Sequence, residues 1–302
     1  MGLTVTRYGG AAEFLAAAEP YLLEREALNS LMLGVVRAQR RQATRMRSGH
    51  PAAGLRRLPA AYLLVADERG PLLAGITSGP RKFMLGWDGA AADEAIAALV
   101  QQLLPTHRGL PSVFGPAELT RRFAEQWRAA TNCTVATGMR QRLFKLEEVT
   151  FPTWLPDGQL RAATDDDSEL LAEWVLSFQL EAVPDDAGDR DSARIIVEQL
   201  VRNRDLFVWA VDYGARPAAM AARARPTVQG VAVNLVYTPP EARRHGYATA
   251  CVAYLSQLLL QSGWSFCTLF TDRGNATANH IYERLGYAPI ADFDEYRFTP
   301  AR

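Results

Sequence analysis

The chain is almost without lysine: only Lys82 and Lys145 occur among its 33 basic residues. Arginine carries the positive charge instead, and with the abundant alanine this suggests a GC-rich, bacterial coding sequence. Cysteine is equally scarce. Cys133, Cys251 and Cys267 are scattered and odd in number, which argues against a disulfide framework and for reduced thiols. The four histidines, His50, His107, His245 and His280, stand apart without ligand spacing, so no metal is expected. No apolar run approaches the ~18 residues of a membrane span. The opening MGLTVTRYGGAAEF lacks a charged start followed by an apolar core, so no secretion signal is expected and a cytoplasmic location follows. The formal net charge is zero, which removes any global electrostatic argument for nucleic-acid or membrane partners.

What remains is an ordinary globular composition, 48% hydrophobic and 22% charged over 302 residues. A chain of this length can bury roughly three quarters of its unfolded surface without staples. It has room for two domains. The best boundary lies at Phe151-Pro152-Thr153-Trp154-Leu155-Pro156-Asp157-Gly158, where two prolines and an Asp-Gly close one pattern before another begins. The expected domains are therefore 1–150 and 151–302.

In the first half, 61–66 and 72–77 flank Asp67-Glu68-Arg69-Gly70 as a hairpin. Strands are expected at 82–87, 112–114 and 134–146. Helices are expected at 90–104, ending before Pro105, and at 118–130. In the second half, a strand at 160–163 precedes Thr164-Asp165-Asp166-Asp167, a capping box with acids where they offset the helix dipole. Leu170, Leu171, Trp174, Val175 and Phe178 then form one helical face. A second helix follows at 192–201, strands at 206–211, 217–225 and 231–237, and a helix at 249–261. A strand at 266–271, a helix at 276–285 and a strand at 295–298 complete the chain. Both halves share one order, strand-strand-strand-helix-strand-helix-strand, which reads as an internal duplication.

The most informative stretch is LVYTPPEARRHGYATA, from Leu235 to Ala250. An apolar strand ends at Pro239-Pro240, which cannot donate to a sheet. An arginine-rich glycine turn then opens a helix. Orphan N–H groups and the dipole at a helix start favour an anion, and Arg243 and Arg244 add charge suited to phosphate oxygens. Gly246 removes a Cβ from the backbone's approach to phosphate, and Ala248 keeps the helix start small.

Arg243-Arg244-His245-Gly246-Tyr247-Ala248 fits, at every defined position, the pyrophosphate motif of the GNAT superfamily of acyl-CoA-dependent N-acyltransferases. The second half, from about 159 to 298, resembles that family. Asp272–Tyr287 adds its "N, two residues, A, three residues, Y" helix as Asn275, Ala278 and Tyr282, followed by Gly286 and Tyr287.

The resemblance implies an α/β (α+β) fold of tandem GNAT-like domains, each a mixed, mostly antiparallel twisted sheet flanked by helices. It implies acetyl-CoA as donor substrate and a primary amine, small-molecule or peptide, as acceptor, in a monomer or homodimer. Arg243, Arg244, His245, Gly246, Tyr247, Ala248 and Thr249 would hold the pyrophosphate. Val236, Tyr237 and Thr238 would run beside the pantetheine arm as an added strand does. The Val236 N–H would polarise the thioester carbonyl. Asn275 would cap its helix and touch the arm, and Asn279 would reach the cofactor or face solvent. Tyr282 would protonate the departing thiolate, or else pack the helix as a core tyrosine; an ordinary phenol, with a pKa of ~10, suits the acid role.

No general base is visible. Asn234 is the one amide of its strand, and Glu181 falls where family acceptors bind. Glu181–Asp191 is acidic; it is read first as a solvated loop and second as an attractor of a cationic amine. The first half has no phosphate turn, so it is expected to have lost CoA binding and to serve as a scaffold or pocket wall. Its seven arginines between Arg37 and Arg57 are read as an exposed face. The rival functions are an acyl-CoA-binding sensor without turnover and an acyltransferase for a longer acyl donor.

Overall fold

The computed structural model describes residues 2–46, 60–78, 82–87, 89, 92–184 and 187–300. Asp88, Ala90, Asp185, Asp186 and residues 47–57 of the arginine-rich segment lie outside the described residues. The chain forms two units, 1–142 with 291–302, and 143–290. The expected boundary after Thr150 therefore falls inside the second unit, and the C-terminal residues belong to the first. Two strands explain the difference: β6 (Thr134–Leu146) and β12 (Ala288–Thr299) each begin in one unit and end in the other.

The first unit contains β1 (Thr4–Arg7), α1 (Ala11–Glu24), α2 (Ser30–Met46), β2 (Tyr62–Asp67), β3 (Gly70–Ser78), β4 (Lys82–Gly86), α3 (Asp93–His107), β5 (Ser112–Pro116) and α4 (Ala117–Thr131). Its strands lie in the order β1-β2-β3-β4-β5-β12. β4 and β5 run parallel and the other neighbours antiparallel. Leu63, Val65, Phe83, Leu99, Phe123 and Trp127 form the core under α3 and α4. Helix α3 continues through Pro105 instead of stopping before it. Pro105 has no N–H to give the Gln101 carbonyl, so one ladder bond is lost, and the helix ends two residues later at His107.

The second unit repeats the order with β7 (Gln159–Ala162), α5 (Ser168–Ala182), α6 (Arg190–Arg202), β8 (Leu206–Val211), β9 (Arg216–Ala224), β10 (Gly230–Tyr237), α7 (Tyr247–Gln261), β11 (Phe266–Asp272) and α8 (Ala276–Arg284). Its strands lie in the order β7-β8-β9-β10-β11-β6, with β10 and β11 parallel and β7 to β10 antiparallel. This is the mixed, mostly antiparallel sheet flanked by helices that the sequence predicts. Val231, Val233, Cys251, Leu255, Tyr282 and Leu285 pack one face of the sheet against α7 and α8. Leu171, Val175, Val197, Val208 and Met220 pack the other against α5 and α6.

The capping box forms as predicted: Thr164 N–H donates to Asp167 at 2.8 Å, and Arg161 grips the same carboxylate at 2.7 and 2.9 Å. Burial works against the ionised carboxylate, but Arg161 and Thr164 prevail and hold its pKa below the usual range.

Candidate active site

Two irregularities in β10 create the site. Against β9, Asn234 pairs with Ala222 and Tyr237 with Met220. Three steps on β10 match two on β9, so one residue is extra. Leu235 absorbs the mismatch at φ 50°, a left-handed conformation that a branched side chain adopts only under constraint. Against β11, β10 pairs through Gly230↔Phe266, Val231↔Cys267 and Ala232↔Thr268 and no further. Both strands continue, β10 to Tyr237 and β11 to Asp272. From Val233 onward the β11-facing edge of β10 is open, with backbone N–H and C=O groups available to an extended ligand.

The wedge leads to the loop before α7. Pro239 ends the strand, Pro240–Ala242 makes a single 3₁₀ turn, and the chain passes through Arg244 at φ 67° and Gly246 at φ 77°. Helix α7 then starts without a side-chain cap and without an acid in its first turn. The contrast with α5 is one of charge: Asp165, Asp166 and Asp167 precede it and Glu169 lies in its first turn, whereas the start of α7 carries no acid and its N–H groups suit an anion.

The structure gives Gly246 two further reasons to be glycine. Its φ is open only to glycine at low cost, and an added Cβ would meet Trp154 at 3.2 Å and Pro156 at 3.3 Å. Trp154 and Pro156 thus lie close against it.

The two arginines of the motif diverge. One guanidinium nitrogen of Arg243 donates to both oxygens of Glu181 at 2.8 and 2.9 Å, and its Nε donates to the Thr238 carbonyl at 3.0 Å. The Tyr237 hydroxyl also donates to Glu181, at 3.4 Å, and burial raises its pKa. Glu181 thus engages the loop through Arg243 and Tyr237. Arg244 is exposed and borders an open cavity with His245 and Tyr247. Those two rings stack 5.5 Å apart at 16°, and the His245 Nδ1 lies 3.3 Å from the Ala242 carbonyl.

Across the wedge, Asn275 caps α8, accepting from Ala278 N–H at 3.0 Å. Asn279 donates to the Asp272 and Arg273 carbonyls at 3.3 Å. Its Oδ1 is buried without a partner, and so is the Thr238 Oγ1. Orphaned buried polar atoms are costly; two of them, on Thr238 and Asn279, fit a ligand that carries amides. Tyr282 is buried between the rings of Phe144 and Tyr287, with centroids at 6.2 and 5.9 Å. Burial pushes its pKa up to about 12.

The first unit differs in the register of its equivalent strand. Its β4 pairs with β3 in unbroken register from Ser78↔Lys82 to Ala74↔Gly86, with no bulge. One residue past β4, Asn29 closes the backbone of Trp87 on both sides: it accepts from the N–H at 3.0 Å and donates to the carbonyl at 3.0 Å.

Residues 169–287 match the family model of the acetyltransferase (GNAT) family. This stretch is a GNAT domain. It holds β8 to β11, the loop and α8, and its family is one of acyl-CoA-dependent acetyl transfer. Solved structures similar over nearly the whole chain show the same fold at low identity. A GCN5-related N-acetyltransferase from Sphaerobacter thermophilus is 14% identical, covers 99% of this chain and 97% of its own, and has a TM-score of 0.61. A tandem GNAT protein from the clavulanic acid biosynthesis pathway is 10% identical over the full length of both chains, with a TM-score of 0.57. A Drosophila protein is 13% identical over 99% of each chain, at 0.64. No curated protein matches. Among the described residues no helix is long and apolar enough to cross a membrane, and no group of three or more candidate ligands could hold a metal.

Sequence reasoning missed Leu235 and Trp154. The bulge has no local signature, because leucine is an ordinary strand residue and its φ is set by β9. Trp154 reads as part of a boundary because prolines surround it.

Proposed function

We propose that the GNAT domain transfers an acetyl group from acetyl-CoA to a primary amine by direct attack on the thioester. The observation that carries this reading is the joining of the β10 bulge and the β10–β11 opening to an uncapped, acid-free helix start. An anion held at α7 by the N–H groups of 244–249 places an attached chain along Val236, Tyr237 and Thr238. The amides of that chain meet the open strand edge, Thr238 Oγ1 and Asn279 Oδ1. Asn275 fixes the end of α8 that faces the chain.

At the bulge the Val236 N–H is the donor for the oxygen that becomes negative as the amine attacks the carbonyl carbon. The new C–N bond forms, the tetrahedral centre collapses, and the C–S bond breaks with its electrons going to sulfur. Tyr282 faces that sulfur as a hydrogen-bond donor. With its pKa near 12, complete transfer of its proton to a thiolate of ordinary pKa ~8.5 would be uphill by about 5 kcal/mol. The hydrogen bond is therefore its main contribution, and the net proton that leaves with the thiol comes from the attacking nitrogen. Asn234, on the strand just before the bulge, orients the amine. Glu181 acts on the donor side through Arg243.

The test is release of free thiol from acetyl-CoA across a panel of primary amines. Amine-dependent release supports transfer; acetyl-CoA that binds and is never turned over supports a sensor instead.

A further inference from the structure

A second bulge lies just past the end of β9. Ala224 pairs with Ala232 of β10, and the Thr227 N–H donates to the Gly230 carbonyl at 2.8 Å. Three steps on one strand match two on the other, so one residue is extra. Arg225 sits at this mismatch with φ 46°, although Pro226 follows it and a residue before proline prefers an extended backbone. Its surroundings are unusual for a charge. Arg223, two residues earlier, is held by Asp205 through its Nε, and Arg161 and Arg243 hold Asp167 and Glu181. Among the described residues Arg225 has no hydrogen bond and no ion pair. Burial alone acts on its guanidinium and pushes the pKa down to about 10. The residue is nevertheless half-buried and not sealed, which leaves it open to a ligand.

Taking a charge out of water without a counter-ion is costly, so interior charges are normally paired. A guanidinium that is desolvated, unpaired and still reachable has the chemistry of an anion anchor. We infer that Arg225 holds the acceptor by an anionic group, so that the acceptor is an amine that also carries a carboxylate. The inference rests on the transfer reading above, in which Asn234 orients the amine. The register supplies the spacing. Arg225 follows Ala224 and so lies near the level of Val231. Asn234 is three residues further along β10, roughly 10 Å at about 3.3 Å per residue. An amine and a carboxylate separated by several bonds span that gap. One guanidinium matches one negative charge, so a carboxylate fits where a phosphate of nearly two charges would leave one over.

The test uses the full chain with 6-aminohexanoate, hexylamine and 6-aminohexyl phosphate. Thiol release from acetyl-CoA should show a kcat/KM about tenfold higher for 6-aminohexanoate than for hexylamine. Arg225→Gln should erase that preference by slowing 6-aminohexanoate alone, with hexylamine and the KM for acetyl-CoA unchanged. Arg225→Lys should keep part of it. Thermal melts give a readout without turnover: 6-aminohexanoate should raise the melting temperature of wild type and not of Arg225→Gln. Without ligand, Arg225→Gln should melt no lower than wild type, since it removes an unpaired charge. Equal rates for 6-aminohexanoate and hexylamine in wild type, or a preference that survives Arg225→Gln, would overturn the inference and leave transfer intact. Arg225→Gln that melts well below wild type would also overturn it, by showing that the guanidinium holds the fold. A preference for 6-aminohexyl phosphate would overturn the choice of carboxylate. Absence of thiol release with every amine would remove the transfer reading itself, and the acceptor role of Arg225 with it.

Discussion

Glu181, at the end of α5, holds Arg243 of the phosphate loop through both carboxylate oxygens, 2.8 and 2.9 Å from one guanidinium nitrogen. Both side chains are about half exposed, and an exposed pair of this kind contributes under about 1 kcal/mol. Glu181→Gln should leave the melting temperature nearly unchanged. It should also free the guanidinium and remove a negative charge from the loop, tightening CoA by about two- to fivefold. Parallel thermal melts and CoA titrations check both halves of this statement. Weaker CoA binding would show that Glu181 holds Arg243 in its binding position.

Gly246 is held by φ and by its neighbours. Gly246→Ala should cost about 1–2 kcal/mol from the left-handed backbone alone, and more from contact with Trp154 and Pro156. Urea denaturation measures the loss. A neutral outcome would mean that the loop relaxes around a Cβ.

Asn29 occupies, in the first unit, the backbone position that follows β4. It makes three buried or half-buried hydrogen bonds, to Leu22 and to both backbone groups of Trp87. Asn29→Ala should destabilise the protein by about 2–4 kcal/mol, because three backbone groups lose partners at once. Wild type should bind one CoA per chain by calorimetry. A stoichiometry of two would contradict the contrast drawn between the units.

Burial raises the pKa of Cys251, Cys267 and Tyr282 to about 12, from ordinary values near 9, 9 and 10. A raised folded-state value means that the folded protein keeps its protons longer than the unfolded chain. The associated stability is complete below about pH 9 and is lost as pH rises toward 12. Urea melts between pH 7 and 11 should show a plateau and then a fall. Cys251→Ala should make that fall shallower. A stability that does not change across this range would show that these groups are accessible to water.

Much of the site was legible from residue types with a fixed chemical use. Arg243 to Ala248 read as a turn suited to an anion, and that turn does open α7, while Thr164 with Asp167 declared a helix start. The remainder was set by tertiary structure. Leu235 takes its φ from a register mismatch with β9. Glu181 reached Arg243 across 62 positions of sequence, so its acidic stretch read as a solvated loop. Residues 1–36 carried no assignment, and α1 among them spreads alanine around its surface and contains Pro20. The ends of β6 and β12 cross between units, and no local pattern reports that.

Amine-dependent release of free thiol from acetyl-CoA, compared in wild type and Tyr282→Phe, tests the central claim most directly. Wild type should release thiol with at least one primary amine. Tyr282→Phe should release it at least tenfold more slowly at unchanged CoA affinity and fold stability, since only a hydroxyl is removed. Equal rates in the two proteins would contradict the role of Tyr282, and acetyl-CoA that binds without release under any amine would contradict transfer itself.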